Sequence, residues 1–484
     1  MTIVTFHNHV GGWVDATGGG TYVRENPSDT RRAVGTFADS GPGDVALAAR
    51  AGAAAQPEWA ARSGVDRGGV LARTAALLRE RSQSIGRELS AEAGKPPAEA
   101  AGEVERAADV LDYFAALGRQ PVGSSYESAR PGVELRTLRS PRGVVGVITP
   151  FNFPAFVSSF KVGAGLMAGN AVVWKPSPLT PLTGLRIVEA FLDAGLPAGL
   201  LSYVTGTSAA LGAALVEDRR IAAVSFTGST AVGRAVEAAA VARGIPAQVE
   251  MGGHNALVVL ADADLDRAAA AVVDGAFGGA GQKCTATGRV FVQAAVAEQL
   301  TARVLELTGR LRVGPVDGPD AQIGPLIGRQ ALEAVVTAVD TAVGAGAELL
   351  HGGGRLTVEP CGHGYFMAPT VLAGVRQDMA IAHEEVFGPV VTLTEVADLE
   401  EAVVRVNDSE YGLSAGIFTT SLAASETFAR SVEAGTLNVN LPTTGVEPHV
   451  PFGGLKASGS GPKELGQGAL DFYTNQKTVA VFTR

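Results

Sequence analysis

Between residues 46 and 118, apolar residues recur every three or four positions in a stretch rich in Ala, Leu, Arg and Glu. Val70, Leu71 and Ala75 follow this spacing, which is typical of one face of an amphipathic helix. We therefore predict successive helices there. Residues 1–45 carry only weak strand signals between glycine-rich turns, which indicates an entry segment.

From residue 144 onward, short apolar runs alternate with helical patterns. Runs that resemble buried strands occupy residues 144–148, 171–174, 202–204, 222–226 and 256–260, with helices predicted at 182–194, 209–216 and 231–242. Such alternation predicts an α/β fold with a parallel, doubly wound sheet. A second series follows residue 284, with helices near 294–311 and 330–344 and strands near 390–395 and 416–419.

Residues 123–139 have a different, polar and partly alternating pattern, with Tyr126, Val133 and Leu135 as its apolar positions. This pattern favours an antiparallel hairpin that projects from the body of the protein. A closing segment at 469–482 ends the chain's regular structure.

The composition describes a soluble globular protein of two or more domains, with 484 residues, 46% hydrophobic and 18% charged. Uncharged stretches at 143–160 and 194–216 approach the length of a membrane span, but Pro150 and Pro197 interrupt them. We therefore predict no membrane helix. The net charge of −10 argues against a nucleic-acid partner.

The chain contains two cysteines, Cys284 and Cys361, which cannot form a disulfide framework. No His/Cys cluster has zinc spacing, so we predict no metal site. Residues 1–10 lack a basic segment followed by an apolar one, and nothing there indicates a signal peptide. These features favour the reducing cytoplasm.

The strongest candidate for chemistry is Cys284, within the stretch Gly281-Gln282-Lys283-Cys284-Thr285. A thiolate adds to an aldehyde carbon and gives a thiohemiacetal, from which hydride leaves easily. The neighbouring glycines at 278, 279 and 281 leave room for a substrate to approach the sulfur and for the backbone to bend. The alternative is a buried structural cysteine.

Further candidates lie at the ends of predicted strands. The small-residue turn that contains Gly228 and Ser229 precedes a helix and suits a pyrophosphate, although an ordinary turn is the alternative. Lys175 ends a strand, where it is placed either for ribose hydroxyls or for solvent. Glu250, beside two glycines, suits a base, and Asn152, in a proline-bounded turn, suits an oxyanion donor; either residue is alternatively a turn former.

Together these motifs resemble the aldehyde dehydrogenase superfamily across essentially the whole chain. The resemblance rests on an ordered set of motifs, Thr149-Pro150-Phe151-Asn152-Phe153-Pro154, Trp174-Lys175-Pro176-Ser177, Phe226-Thr227-Gly228-Ser229-Thr230, Glu250-Met251-Gly252-Gly253, Gly281-Gln282-Lys283-Cys284, Glu385-Val386-Phe387-Gly388-Pro389 and Pro451-Phe452-Gly453-Gly454.

The resemblance implies a role for each catalytic candidate. Cys284 is the implied nucleophile and Glu250 the general base, while Asn152 and the backbone N–H of Cys284 form the oxyanion hole. Lys161 and Glu464 match positions that support proton movement. The implied product is a carboxylic acid, because relatives that pass the acyl group to coenzyme A usually lack the base.

The resemblance also implies an NAD or NADP site. Lys175 and Glu385 would bind the riboses, Ser229 would lie near the pyrophosphate and Phe387 against the nicotinamide. The predicted set is completed by Thr149, Pro150, Ser177, Gly228 and Gly233. Pro178 stands where many NAD-preferring relatives have a glutamate, so a 2′-phosphate would meet less repulsion and NADP is expected beside NAD.

The implied architecture is an aldehyde dehydrogenase-like α/β fold in three parts. Residues 1–124 and 142–253 would form a dinucleotide-binding domain with a doubly wound parallel sheet, and residues 254–456 an α/β catalytic domain. Residues 125–141 and 470–484 would form a β element that bridges subunits in a homodimer or homotetramer. Phe151, His254 and Gly288 depart from the more usual Trp, Lys and Ser, with no effect assigned.

The substrate prediction rests on two stretches, 440–454 and 281–284, that most resemble dehydrogenases of α-ketoglutaric semialdehyde. Phe160 stands where several relatives that oxidise acid semialdehydes have an arginine for the distal carboxylate. Hydroxyls of Thr285, Thr443 and Thr444, or His449, are candidate substitutes. We predict a pocket that contains Phe153, Phe160, Thr285, Thr443 and His449.

Two alternatives remain open at this point. An aromatic or aliphatic aldehyde would suit an apolar pocket lined by Phe151, Phe153, Phe156 and Phe160. A catalytically inactive binding or structural member of the family is the other alternative, against which the joint presence of Cys284, Glu250 and Asn152 argues.

Overall fold

The fold is known from a computed structural model that describes residues 4–120, 123–318 and 321–482. The ends of predicted segments that fall on residues 1–3, 121–122, 319–320 and 483–484 lie outside the described residues. The first part of the chain has short strands and then four helices: β1 Thr5–Phe6, β2 Asn8–His9, β3 Trp13–Val14, β4 Thr21–Asn26, β5 Asp29–Ala38, α1 Pro42–Ala61, α2 Gly64–Glu80, α3 Ser82–Ala93 and α4 Pro97–Leu117. The prediction of an entry segment followed by successive helices is confirmed.

The hairpin and the first α/β series come next in the chain. They comprise β6 Ser125–Tyr126, β7 Val133–Pro141, β8 Val144–Ile148, α5 Phe156–Met167, β9 Ala171–Lys175, α6 Pro181–Asp193, β10 Leu201–Tyr203, α7 Ala209–Glu217, β11 Ile221–Thr227, α8 Thr230–Ala242 and β12 Ala247–Glu250. An eight-stranded sheet has the order β22-β12-β11-β8-β9-β10-β2-β3 (β22 is Gly459–Ser460). Its five inner strands are parallel, and all five residues of β8 are buried, as both faces of such a sheet require.

The second series builds a seven-stranded sheet. Its elements are β13 Asn255–Val259, α9 Leu265–Phe277, β14 Thr287–Gln293, α10 Ala297–Gly309, α11 Arg329–Gly344, β15 Glu348–His351, β16 Thr370–Ala373, β17 Val390–Val396, α12 Leu399–Asn407, β18 Tyr411–Gly412, β19 Ser414–Phe418, α13 Leu422–Ser431 and β20 Thr436–Val439. The strand order is β15-β16-β17-β14-β13-β19-β20, parallel except at the β15 edge.

The apolar pattern and the family resemblance differ on one strand. The pattern alone groups the apolar run at 256–260 with the first series, whereas the implied boundary at 253/254 assigns it to the catalytic domain; β13 lies in the second sheet between β14 and β19. The outer position beside β11 is taken by β12, which the sequence pattern did not predict, and β12 pairs on its other side with β22. Apolar alternation identifies buried strands but carries no information about which sheet they join.

The chain closes with β21 Leu455–Lys456, β22, α14 Ala469–Phe472 and β23 Thr474–Phe482. β23 pairs antiparallel with β7 along its whole length, and β6 flanks β7 on the other side. The predicted hairpin is therefore confirmed, and the closing strand joins it in a three-stranded sheet. Within the described residues, no helix has the length and apolar character that a membrane span requires.

Candidate active site

Cys284 lies on a tight bend between α9 and β14. Asp264 begins α9 by accepting a hydrogen bond from the backbone N–H of Arg267 at 3.1 Å. After the helix ends, Gly279, Ala280 and Gly281 have positive φ angles of 62, 56 and 69°. This left-handed turn reverses the chain and carries Cys284 to the carboxyl end of the neighbouring sheet.

Glycines 278, 279 and 281 have a more specific role than the sequence indicated. A Cβ at Gly278 or Gly279 would lie 2.8 or 2.9 Å from the side chain of Lys283, and a Cβ at Gly281 would overlap the carbonyl oxygen of Gly388. The space beside these glycines is therefore occupied by other protein groups. Gly281, three residues before the nucleophile in the chain, allows the backbone of the cysteine loop to contact the backbone at Gly388.

Asn255, which the sequence analysis did not select, fixes the backbone at the cysteine. Its Nδ2 donates to the carbonyl oxygens of Cys284 and Ala286, both at 2.8 Å, and its Oδ1 accepts from the N–H of Ser414 at 3.0 Å. The only sequence signal for this role is an amide at the start of a buried strand. A buried amide with all these partners holds the loop rigidly.

Cys284 opens into a cavity of about 530 Å³, whose walls are mostly apolar. The lining comes chiefly from α4, α5, the ends of β11 and β12, α9, the cysteine loop and the 440–454 loop. The lining residues are Glu99, Gly102, Glu103, Arg106, Phe153, Phe156, Val157, Phe160, Thr227, Glu250, Met251, Asp274, Gly278, Lys283, Cys284, Thr285, Gln322, Leu413, Thr444, Gly445, Val446, Phe452 and Glu464. The cavity therefore brings a thiol and carboxylates together within apolar walls that suit a small organic molecule.

Glu250 is the last residue of β12 and is buried beside the cavity. Its Oε2 accepts a hydrogen bond from the backbone N–H of Gly454 at 3.0 Å. Burial, followed by the nearby charge of Glu464, raises the pKa of Glu250 well above its ordinary value. A carboxylate whose pKa is raised is a stronger base, as activation of a thiol or water requires.

Burial also raises the pKa of the Cys284 thiol, to about 12, with smaller contributions from the carboxylates of Glu385 and Glu250. The thiol is therefore neutral near pH 7 in this state, and a base has to take its proton before the sulfur attacks. Glu250 opens into the same cavity and carries the required proton affinity.

Lys161 and Glu464, the two residues that we predict to support proton movement, form a buried ion pair beside this cavity. Nζ of Lys161 also donates to Oγ of Ser225 at 2.9 Å, and that hydroxyl donates to Gln248 at 3.1 Å. Oε2 of Glu464 is buried without a hydrogen-bond partner among the described residues. That oxygen is free to accept a proton or a water.

Asn152 is buried in the turn that precedes α5. It borders a small crevice with Phe151, Gln282 and Lys283, and it does not line the large cavity. The turn brings it to the segment that carries Cys284, because the crevice is also lined by Gly279, Gln282 and Lys283. Its role as an oxyanion donor stays a prediction.

Lys175 is the last residue of β9 in the first sheet, and Glu385 lies in the segment that leads into β17 of the second sheet. Burial lowers the pKa of Lys175 to about 8 and raises that of Glu385 to about 7. Lys175 donates to the carbonyl of Pro176 at 3.3 Å, and Glu385 accepts from the N–H of Gly253 at 3.0 Å. Each group keeps unused hydrogen-bonding capacity, which fits the hydroxyls of a bound ribose.

The rest of the predicted cofactor set is spread along the same sheet edge. Thr149 is buried and accepts hydrogen bonds from Trp174 and Ser158, at 2.9 and 3.1 Å, while Pro150 follows it in the turn. The Ser177 hydroxyl accepts from the N–H of Leu179 at 3.2 Å. These contacts shape the strand ends.

The turn after β11 presents the amino terminus of α8. Ser229 is exposed at the N-cap position and makes no capping hydrogen bond, so the first N–H groups of the helix stay available to an anion. Gly228 donates its N–H to the carbonyl of Glu250 at 3.1 Å. Gly233 packs on Met251, because a Cβ at position 233 would lie 2.6 Å from the Met251 sulfur.

Phe387, the last predicted cofactor residue, lies in the segment before β17. It has a φ of 53°, and its ring meets the ring of Phe151 edge to face, with 5.8 Å between the ring centres.

Three of the five predicted substrate residues, Phe153, Phe160 and Thr285, line the cavity. Thr443 does not, because it is fully buried and donates to the carbonyl of Thr285 at 2.7 Å. His449 is exposed and also lies outside the lining. The 440–454 loop reaches the cavity through its next residues, Thr444 to Val446.

A nicotinamide dinucleotide fits the unused hydrogen-bonding capacity of Lys175 and Glu385 and the open amino terminus of α8. Oγ1 of Thr227, on the wall of the Cys284 cavity, has no hydrogen-bond partner among the described residues. In residues 4–120, 123–318 and 321–482, no group of three or more His, Cys, Asp or Glu residues is placed so that it could bind a metal ion.

Comparison with known proteins gives one consistent result. The model of the aldehyde dehydrogenase family matches residues 13–479. The chain is 39% identical over 478 residues to "Alpha-ketoglutaric semialdehyde dehydrogenase" of Bacillus subtilis, covering 99% of this chain and 98% of the relative. It is 40% identical over 474 residues to "Alpha-ketoglutarate semialdehyde dehydrogenase" of Haloferax volcanii, covering 98% of each. The crystal structure of an NAD-dependent aldehyde dehydrogenase from Sinorhizobium meliloti superimposes with a TM-score of 0.96 at 35% identity, covering 99% of this chain and 95% of the other.

Proposed function

Because the chain belongs to the aldehyde dehydrogenase family and is an NAD(P)-dependent enzyme of that family, we propose that it oxidises α-ketoglutaric semialdehyde to the dicarboxylic acid. The observation that carries the chemical part is the opening of Cys284 and Glu250 into one cavity. The names of two relatives that are 39 and 40% identical, matched over nearly their whole length, support the substrate.

The reaction begins with proton transfer from the Cys284 thiol to Glu250. The sulfur then forms a bond to the aldehyde carbon, and the negative charge that develops on oxygen is stabilised by the N–H of Cys284 and, as proposed, by Asn152. The bound nicotinamide dinucleotide supplies the acceptor for the hydride. The acyl group then remains on the sulfur as a thioester.

Glu250 first gives up the proton that it took from Cys284; as a carboxylate again, it takes a proton from water, and the resulting hydroxide attacks the thioester carbon. The carbon–sulfur bond breaks, the carboxylic acid leaves, and the thiolate is regenerated. Lys161 and Glu464 are proposed to pass the proton from Glu250 onward, which the buried ion pair and the unpartnered Oε2 of Glu464 support. The enzyme is thereby proposed to be hydrolysing rather than coenzyme A-acylating.

Initial rates with NAD and with NADP test the substrate proposal, on α-ketoglutaric semialdehyde, succinic semialdehyde, benzaldehyde and a medium-chain aliphatic aldehyde. We expect the five-carbon keto acid to have the highest kcat/KM. The phenylalanines that line the cavity, Phe153, Phe156 and Phe160, favour the second candidate, an apolar aldehyde. A preference for benzaldehyde or the aliphatic aldehyde would establish that candidate and refute the first.

Glu250→Gln tests the hydrolytic step. We expect both the first formation of reduced cofactor and the release of acid to slow, acid release by about 10²- to 10⁴-fold, because Glu250 is the proposed base for the thiol and for water. In the wild type that rate rises with pH through the raised pKa of Glu250, because only the ionised carboxylate accepts a proton. Glu99→Gln, on the same cavity wall, is the matched control. Full-rate acid release by Glu250→Gln, or acyl-coenzyme A as the product, would contradict the assignment.

We also propose that the chain is a homodimer or homotetramer and that its three-part domain division follows the boundaries given above. The unpaired edge of β23, with exposed Phe482 at its end, supports the first proposal, because an exposed strand edge promotes association between chains. Light scattering that gives a monomer mass would contradict it. The two large sheets and the separate three-stranded sheet support the division.

A further inference from the structure

Several charged residues on the cavity wall already have an ion-pair partner. Nζ of Lys283 lies 3.5 Å from a carboxylate oxygen of Glu99. The carboxylate of Glu103 forms a buried ion pair with Lys95 at 2.5 Å and accepts the backbone N–H groups of Ala155 and Phe156 at 2.8 and 3.2 Å. Neither carboxylate is left to neutralise another cation.

Of the two cations that line the cavity in the described part of the chain, Lys283 and Arg106, Arg106 is the one without such a partner. Among the described residues its guanidinium forms no ion pair; it donates to the carbonyl of Val446 at 3.3 Å and lies over the ring of Phe156 at 4.6 Å. A guanidinium carries five N–H donors, so most of its donors face no protein acceptor. A half-buried cation in apolar walls gains from a ligand anion, because nearby carbon surfaces weaken the screening of charge.

The position of Arg106 on α4 leaves room for such a ligand. Gly102, one helical turn earlier, also lines the cavity, and a Cβ there would meet no atom within 4 Å. The absence of a side chain at this position keeps open the wall beside the guanidinium. Val446 and Phe156 hold the guanidinium from two other sides.

We propose that Arg106 binds the carboxylate of an oxo-acid substrate and is the specificity-determining cation of this cavity. The proposal rests on the function proposed above and explains how the enzyme takes an acid although Phe160 stands where relatives have an arginine. Phe160 packs edge to face on Phe156, the ring that supports Arg106, at 5.4 Å. The charge is thus supplied from α4 instead of α5. Arginine matches a carboxylate with two parallel hydrogen bonds.

The other candidates for this role are less suitable in the structure. The Thr443 hydroxyl already donates its proton to the carbonyl of Thr285, and His449 lies outside the cavity. Thr285 and Thr444 do line it but carry no charge. They are suited to hold the keto oxygen or to orient the chain, whereas only a cation selects an acid over a neutral aldehyde.

Arg106→Met and Arg106→Lys test the proposal, each assayed on α-ketoglutaric semialdehyde and on pentanal, which has the same number of carbons and no charge. We expect Arg106→Met to lose about 10- to 150-fold in kcat/KM on the acid, mainly through KM, and to stay within about threefold on pentanal. Arg106→Lys keeps the charge without the planar fork, so we expect partial recovery. Thermal melting of both variants, compared with the wild type, detects damage to the fold.

The outcomes separate the two proposals. A wild-type enzyme that does not prefer the acid to pentanal refutes the proposed substrate, and the role of Arg106 with it. A wild type that prefers the acid, with the same preference in Arg106→Met, overturns the role of Arg106 alone. An equal loss on both substrates also overturns it, because that pattern indicates a structural role.

Discussion

Gly252→Ala places a methyl group at the carboxylate of Glu385 and so tests whether that carboxylate holds the cofactor. The added Cβ would overlap Oε2 and lie 3.0 Å from Cδ of Glu385. Gly252 is not among the residues with positive φ, so alanine brings no backbone strain. The effect of the substitution is therefore confined to the position of one carboxylate.

The size of the effect follows from this overlap. Ordinary contact begins near 3.4 Å, so the carboxylate has to retreat by about 1 Å, which disturbs the 3.0 Å hydrogen bond from the N–H of Gly253. Loss of the hydrogen bonds that the carboxylate would make to a ribose costs about 1.5–3 kcal/mol, or about 10- to 150-fold in the KM for cofactor. The free energy of unfolding changes by less than about 1 kcal/mol, because a flexible side chain relieves the overlap.

Initial rates at varied NAD and NADP, together with thermal melting, measure both quantities. Gly212→Ala is the matched control, because it lies in α7 and a Cβ there meets no atom within 4 Å. We expect the control to keep the wild-type KM for both cofactors. A Gly252→Ala enzyme with wild-type KM and kcat would refute the assignment of Glu385 to the cofactor. A large fall in Tm would show that the overlap is not relieved by the side chain.

Two further predictions concern the cysteine loop. Because the pKa of Cys284 is raised to about 12, only about one thiol in 10⁴ is ionised at pH 8. The rate of alkylation by iodoacetamide, measured by mass spectrometry without cofactor in a Cys361→Ala variant, should therefore rise about tenfold per pH unit from about pH 7 to 10. A rate that stops rising near pH 8 would contradict this. Gly281→Ala should lower Tm and activity more than Gly279→Ala. In both variants the positive φ lowers the free energy of unfolding by about 1–2 kcal/mol. The added methyl group at 281 also overlaps the backbone of Gly388, whereas the one at 279 meets the flexible side chain of Lys283. Equal Tm values for these two variants would refute the distinction.

The parts of this fold that the sequence predicted are those with local signals. Helical periodicity in residues 46–118 and apolar runs from 144 onward give α1 to α4 and the inner strands β8 to β11. What could not be predicted depends on distant partners. β12 is four residues long and is completed by β22, about 210 positions later. The apolar pattern of β13 does not show which sheet it joins, and only the boundary implied by the family resemblance separates it from the first series.

The same limit applies to the site. The motifs that resemble a known family predicted Cys284 and Glu250, and both open into the cavity. Arg106 was missed because it lies in the regular pattern of an amphipathic helix, where an arginine usually faces solvent. The sequence does not show which residues of the 440–454 loop face the cavity. In the structure Thr444 lines the cavity, whereas the neighbouring Thr443 is buried and donates to the carbonyl of Thr285.

Several glycines of these motifs do more than relax the backbone, because they make room for a group from a different motif. A Cβ at Gly453, where φ is +149°, would overlap Oε1 of Glu250, and one at Gly281 would overlap the carbonyl oxygen of Gly388. Segments that are up to about 200 positions apart are therefore in direct contact at the reacting groups. It follows that a glycine substitution in this site should be assigned to the function of the group that it displaces: Gly453 variants to the base Glu250, and Gly252 variants to cofactor binding. The kinetic constant that changes then identifies which of the two functions the neighbouring carboxylate serves.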